Sequence, residues 1–170
     1  MTRRGSDSLT ITLPDLSYPV GVISQFMARP NEEHLQCAQR VLRYVSGTTD
    51  RGLLYRAGTA AQLVGYTDAD WAGNVADRRS TSGYAFSLGS AVVAWSSKKQ
   101  PTVALSSTEA KYRGAAVATC EAIWLKRLLK DLQDPTTIYC DNLSSIQLAN
   151  NPVFHARTKH IQVHYLLRVE

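Results

Sequence analysis

One stretch limits what this chain can fold into more than any other: Leu63-Val64-Gly65-Tyr66-Thr67-Asp68-Ala69-Asp70-Trp71-Ala72-Gly73. An apolar, β-forming run leads straight into two carboxylates and then a glycine turn, which is the pattern of a buried strand delivering charge to its end. Holding an acid at the mouth of a buried strand costs free energy unless a cation sits against it, and for an acid cluster a common partner is a metal ion. Taken alone, Asp68-Ala69-Asp70 reads first as a solvated turn.

Two further acids occupy equally pointed settings. Glu109 lies in Leu105-Ser106-Ser107-Thr108-Glu109-Ala110, where Ser106 or Ser107 can cap a helix whose first or second turn holds the acid. Asp141 follows the short β-rich run Thr137-Ile138-Tyr139-Cys140, and Asn142-Leu143-Ser144-Ser145 then opens another helix. Each has a structural reading: Glu109 as a capping-box or dipole-compensating residue, Asp141 as a helix cap. Two strand exits and one helix start carrying acids are together better explained as converging carboxylates.

With 170 residues and 44% hydrophobic content, the chain has room for one ordinary domain and an appendage, with enough apolar side chains for a core. No apolar run approaches the roughly 20 residues of a membrane span, and Met1-Thr2-Arg3-Arg4-Gly5-Ser6 leads into no signal-peptide core. An intracellular protein, cytoplasmic or nuclear, is the expectation, with no membrane partner. Cys37, Cys120 and Cys140 are far apart with no C-x-x-C spacing, so buried thiols are expected in place of disulfides or zinc. A net charge of +5 and a pI near 9.2, around an acidic knot, suit a protein that holds polyanions beside metal ions.

Along the chain, residues 1–14 are polar and aperiodic and read as a poorly ordered leader. Asp15 can cap a helix holding Val20, Val22, Ile23, Phe26 and Met27, which Pro30-Asn31 ends. In a second helix Leu35, Ala38, Leu42 and Val45 recur at spacings of three and four, Glu32 and Glu33 favour its start, and Gly47 closes it. Strands are then expected at 53–55, 62–67, 82–88 and 91–95, the last two joined through Gly89-Ser90 as a hairpin. A helix from Ser106 to about Cys120 and a second over 121–132, with Ile123, Trp124, Leu128 and Leu132 on one face, precede strand Thr137–Cys140. That helical crossover predicts that strand 137–140 lies parallel to the first acid-bearing strand, placing Asp68 and Asp141 at neighbouring carboxyl ends. A helix follows from Asn142 to about Asn150, and the basic stretch His155 to His160 reads as a phosphate-facing loop before a last helix. His155, His160 and His164 alternate with cations, which argues against a metal site there.

These motifs closely resemble the RNase H region of the Pol polyprotein of copia-type LTR retrotransposons, with the tail of the reverse transcriptase before it. The resemblance runs from about Pro14 to about Arg168. It rests on Pro14-Asp15-Leu16, Ser24-Gln25-Phe26-Met27, Arg40-Val41-Leu42-Arg43-Tyr44, Gly65 to Gly73, Arg79-Ser80-Thr81-Ser82-Gly83-Tyr84, Ser97-Lys98-Lys99-Gln100-Pro101, Ala104 to Ala110, Asp141-Asn142 and His155 to Ile161.

The resemblance implies an α/β RNase H-like fold, a mixed central sheet flanked by helices and preceded by a small helical hairpin. It divides the chain into a leader (1–14), a helical segment from the reverse transcriptase thumb or connection (15–52) and an RNase H-like domain (53–170). The implied activity is cleavage of the RNA strand of an RNA–DNA hybrid with two Mg²⁺ or Mn²⁺ ions. Asp68 would bridge both ions, and Glu109 and Asp141 would complete the shell around one of them. The fourth acid would fall at Gln162, where the family reads Lys-His-Ile-Asp and this chain reads Lys159-His160-Ile161-Gln162. Asp70 belongs to the family's Asp-x-Asp-Trp wording and does not replace the missing ligand.

Two ions roughly 3.5 to 4 Å apart need several carboxylates to offset their repulsion, and hard oxygen donors suit Mg²⁺ or Mn²⁺ over Zn²⁺. Arg78, Arg79, Lys98 and Lys99, with Arg157, Lys159 and His160, are the expected nucleic-acid contacts, although each basic pair also reads as a solvated surface. Against the nuclease stands a relic that keeps the fold and binds nucleic acid or a protein partner without turnover. Gln162 and the unfamiliar leader favour it. A related DNase or exonuclease has only the shared acids behind it.

Overall fold

Local spacing decides the amino-terminal elements of the computed structural model, which describes residues 10–129 and 136–150. The chain divides into two compact units between Leu54 and Tyr55. In the first, residues 10–12 are helical and a 3₁₀ turn, Pro14–Leu16, runs into α1 (Ser17–Ser24). Pro19 is tolerated because the first-turn N–H groups lack helical partners in any case. Asp15 does not cap α1; its carboxylate accepts a 2.6 Å hydrogen bond from the Tyr44 hydroxyl. Tyr44 belongs to α2 (Glu32–Ser46), whose first turn is closed reciprocally: Asn31 Oδ1 accepts from His34 N at 2.9 Å and His34 Nδ1 accepts from Asn31 N at 3.1 Å. No residue of α2 is buried, and Leu35 and Leu42 remain 50% and 57% exposed.

In the second unit, alternation sets the central strand. Along β1 (Leu63–Ala69), Leu63, Gly65, Thr67 and Ala69 are buried while Tyr66 and Asp68 are exposed. β1 pairs antiparallel with β2 (Thr81–Leu88), which pairs antiparallel with β3 (Ala91–Lys99) through a hairpin whose Gly89 takes the left-handed φ of +60°. After α3 (Ser107–Leu128), β4 (Thr137–Cys140) joins the other side of β1 in parallel, giving the order β3-β2-β1-β4. The hairpin pairing of β1, β2 and β3 and the parallel crossover to β4 are present as expected, giving a mixed four-stranded sheet flanked by helices that is compatible with an RNase H-like fold.

Three local expectations are corrected. Residues 53–55 form no strand; from Tyr55 on, the contacts are made through side chains, with the Tyr55 hydroxyl donating to Val92 O and Arg56 N donating to Ser90 Oγ, both at 2.9 Å. The two helices expected around residue 120 are one, because Thr119 to Ala122 contains no breaker. Its buried stripe is Ala115, Ala118, Ala122 and Leu125, while Ile123, Trp124 and Leu128 are exposed. The cysteines form no disulfide, but Cys37 and Cys120 are exposed, not buried.

The core joins Leu63, Phe86 and Ile138 of the sheet to that alanine stripe, with α4 (Leu143–Asn150) packed on α3. Small residues let helix and sheet approach closely. A Cβ at Gly65 would overlap the Phe86 ring, and one at Gly114 would lie 3.4 Å from both Ala69 Cβ and Asp68 O. Among the described residues, no helix is long and apolar enough to cross a membrane.

Candidate active site

Strand register brings two of the sequence-identified acids together. Tyr66 of β1 is level with Tyr139 of β4, and their rings stack with centroids 5.3 Å apart. Side chains alternate, so two residues further along each chain Asp68 and Asp141 emerge on the same face at adjoining carboxyl ends. The turn carrying Asp141 is tied down twice. Asn142 Oδ1 caps α4 by accepting from Ser145 N at 2.7 Å, and the buried Ser145 hydroxyl donates to Thr108 O in the first turn of α3 at 3.0 Å. The close approach at Gly114 holds α3 against the end of β1, and Lys111, one turn earlier, lies over the acids.

Lys111 Nζ lies 2.6 Å from both Asp141 oxygens and 3.1 Å from Asp68 Oδ1. The hydrogen bond to Asp141, opposed by burial and reinforced by Asp68, raises the Lys111 ammonium above its usual range, so it is charged at neutral pH. Both carboxylates are otherwise largely open to solvent, with side chains 71% and 64% exposed. They lie at the end of a cleft of about 530 Å³ lined by Tyr66, Tyr84, Ser96 and Tyr139 among others.

The structure does not bring Glu109 to this pair. Its Oε2 accepts from Leu105 N at 2.7 Å and its Oε1 pairs with Arg113 at 2.6 Å, while Ser106 Oγ accepts from Glu109 N at 3.1 Å. These are contacts of a helix start, the structural role the sequence allowed. Asp70 closes the following loop, exchanging bonds with Thr81 through its backbone N–H and its Oδ1.

Asp68 and Asp141 offer hard oxygens that already bracket an ammonium and suit one cation, and a second ion beside it would need donors beyond this pair. Among the described residues, no group of three or more His, Cys, Asp or Glu side chains could hold a metal ion. Gln162, Arg157, Lys159 and His160 lie outside the described residues.

The other basic candidates gather at the same end of the sheet. Lys98 and Lys99 pair with Ser82 and Thr81, next to the loop that carries Arg78 and Arg79. Asp77 draws in Lys99 at 3.1 Å and Arg79 at 3.9 Å, while Arg78 and Lys98 are exposed. Sequence reasoning missed Lys111, the paired tyrosines and Gln100. The tyrosines had a signal: both acid-bearing strands end Tyr-x-Asp, as Tyr66-Thr67-Asp68 and Tyr139-Cys140-Asp141. Gln100 had none; buried, it donates to Ser82 Oγ at 2.7 Å and Ala110 O at 2.9 Å, fastening β3 to α3.

The chain is 48% identical over 161 residues to the retrovirus-related Pol polyprotein from transposon RE1 of Arabidopsis thaliana, a match spanning 92% of this chain and 11% of that protein. To the corresponding polyprotein from transposon TNT 1-94 of Nicotiana tabacum it is 44% identical, over 93% of this chain and 12% of that one. It is also similar to secreted RxLR effector protein 161 of Plasmopara viticola, at 57% identity over 69% of this chain and 82% of the effector. No family model matches, and no solved structure does. The chain spans about a ninth of the length of the polyproteins it matches. With near-half identity carried across nearly its whole length, it belongs to the Pol polyprotein family of copia-type retrotransposons, one segment of which it matches.

Proposed function

We propose that this segment is a ribonuclease H that cuts the RNA strand of RNA–DNA hybrids using two divalent ions, Mg²⁺ or Mn²⁺. The observation that carries the reading is the pairing of Asp68 and Asp141 at adjoining strand ends around one cationic centre. A divalent ion bound there supplies Lewis-acid stabilisation of a phosphate oxygen and lowers the pKa of a bound water. The chain's part is to hold and orient. Asp68 and Asp141 offer hard oxygens, and Gln162 replaces the family's fourth acid with a neutral amide. Both Glu109 oxygens already accept hydrogen bonds, one from Leu105 N and one from Arg113. The stacked Tyr66 and Tyr139 form a platform suited to an unstacked base, and Arg78, Arg79, Lys98 and Lys99 suit phosphates. In this reading residues 15–52 are the end of the reverse transcriptase region.

A labelled hybrid titrated with Mg²⁺ and Mn²⁺ tests this: cuts in the RNA strand alone, only with divalent ion, are expected. Folded protein that binds hybrid without cutting at any metal concentration overturns the nuclease. It would leave the second reading, a nucleic-acid-binding or protein-interaction module without turnover. That reading draws on the cations already seated on all three acids and on an effector that this segment covers to 82%.

A further inference from the structure

We propose that Lys111 is a built-in counter-ion that closes the Asp68–Asp141 pair and must swing out before a divalent ion can enter. The proposal rests on the reading of that pair as a metal site. A hard cation takes carboxylate oxygens at about 2.0 to 2.6 Å. Lys111 Nζ is within 2.6 Å of both Asp141 oxygens and 3.1 Å from Asp68 Oδ1, so the ammonium occupies the point on which those oxygens converge. An ion held by the same oxygens would overlap it and repel it. The neighbouring cation on α3 does the same for the third acid, since Arg113 pairs with Glu109 at 2.6 Å.

Leaving the pair is a side-chain movement. The backbone beneath Lys111 is fixed by the Gln100 bond to Ala110 O at 2.9 Å and by the close contact at Gly114. The four-carbon lysine stem rotates freely enough to carry the ammonium from a surface cleft into water. Metal entry is thereby an exchange of one cation for another, and the site fills only when the divalent ion is concentrated enough to win. Lys111 is a positioning residue here, acting on the acids.

The test is direct Mn²⁺ binding to the full chain, followed by the electron paramagnetic resonance signal of free Mn²⁺, with Mg²⁺-dependent thermal melts as a second readout. Lys111→Met keeps the stem and removes the charge; it should bind Mn²⁺ about tenfold or more tightly than the natural chain. Its melting point should be lower without metal, because two adjoining carboxylates lose their counter-ion, and should rise further on adding Mg²⁺. Lys111→Arg keeps the charge and should bind within about twofold of the natural chain. Adding Asp68→Asn to Lys111→Met should cancel the gain. If the natural chain and Lys111→Met both bind Mn²⁺ equally well, the counter-ion role is overturned while the metal site stands. If folded Lys111→Met binds none, the metal-site reading falls and the proposal with it.

Discussion

The two units of this chain use their apolar residues in opposite ways. In the second, Phe86, Ala110 and Ala118 are 0% exposed, and the acids stand at the edge of a packed sheet. In the first, α2 is more strongly amphipathic than α3 or α4 of the second and is closed by a capping box, yet Leu35 and Leu42 keep half or more of their surface open. Periodicity and capping suffice to specify a helix. Burial is what fixes an element in place, so the strands that carry Asp68 and Asp141 are held by a core while among the described residues no part of α2 is buried.

The largest effect that would break this contrast is on activity. Asp68→Asn should abolish metal-dependent hybrid cleavage, a loss of about a hundredfold or more, with the fold unchanged by circular dichroism. Its counterpart in the hairpin, Asp15→Asn, should leave cleavage untouched. Next is stability. Phe86→Ala should cost about 3 to 5 kcal/mol in urea unfolding, from lost burial and the cavity left beside Gly65. Leu42→Ala, at a 57% exposed position, should stay within about 0.5 kcal/mol. If both substitutions cost the same, the hairpin has a core that the described residues do not reveal.

Smaller again are the caps. Ser106→Ala removes the acceptor for Glu109 N and should lower the unfolding free energy of the sheet unit by about 1 kcal/mol. Asn31→Ala should reduce helical signal locally without moving that transition. The smallest effect separates two tyrosines. Burial, then the Glu121 carboxylate, push the Tyr84 phenol up to about 12, whereas the Tyr44 phenol is raised mainly by its hydrogen bond to Asp15. A phenol whose pKa is raised on folding adds stability that is complete below its unfolded value of 10.0 and declines as pH climbs past it. Ultraviolet titration should show Asp15→Asn returning Tyr44 toward the ordinary range and leaving Tyr84 high.

Much of the architecture was legible before any coordinates. The run into Asp68, the Gly89-Ser90 hairpin and the helical crossover to Thr137 each carry their own signal, and the parallel pairing of β1 and β4 follows from connection length. Other features were not legible for local reasons. Nothing near residue 120 marks which face of α3 will be buried, because alanine suits either; the sheet chose the small-residue stripe, and Trp124 was left outside. Leu53-Leu54-Tyr55 has strand composition, yet Tyr55 meets the sheet through its hydroxyl and not through a strand ladder.

By itself the sequence determined that acids would stand at two adjoining strand ends, because an apolar run ending in Tyr-x-Asp occurs twice and a crossover makes the two strands neighbours. It also set the capping of α2 and α3, whose signals lie within four residues of each other. Tertiary structure alone decided what faces those acids. Lys111 lies 30 residues from Asp141 in the chain and on a different element, and it reaches the carboxylates because small residues let α3 settle against β1. Glu109 went to Arg113 for the converse reason: a partner one helical turn away lies within reach wherever the helix packs.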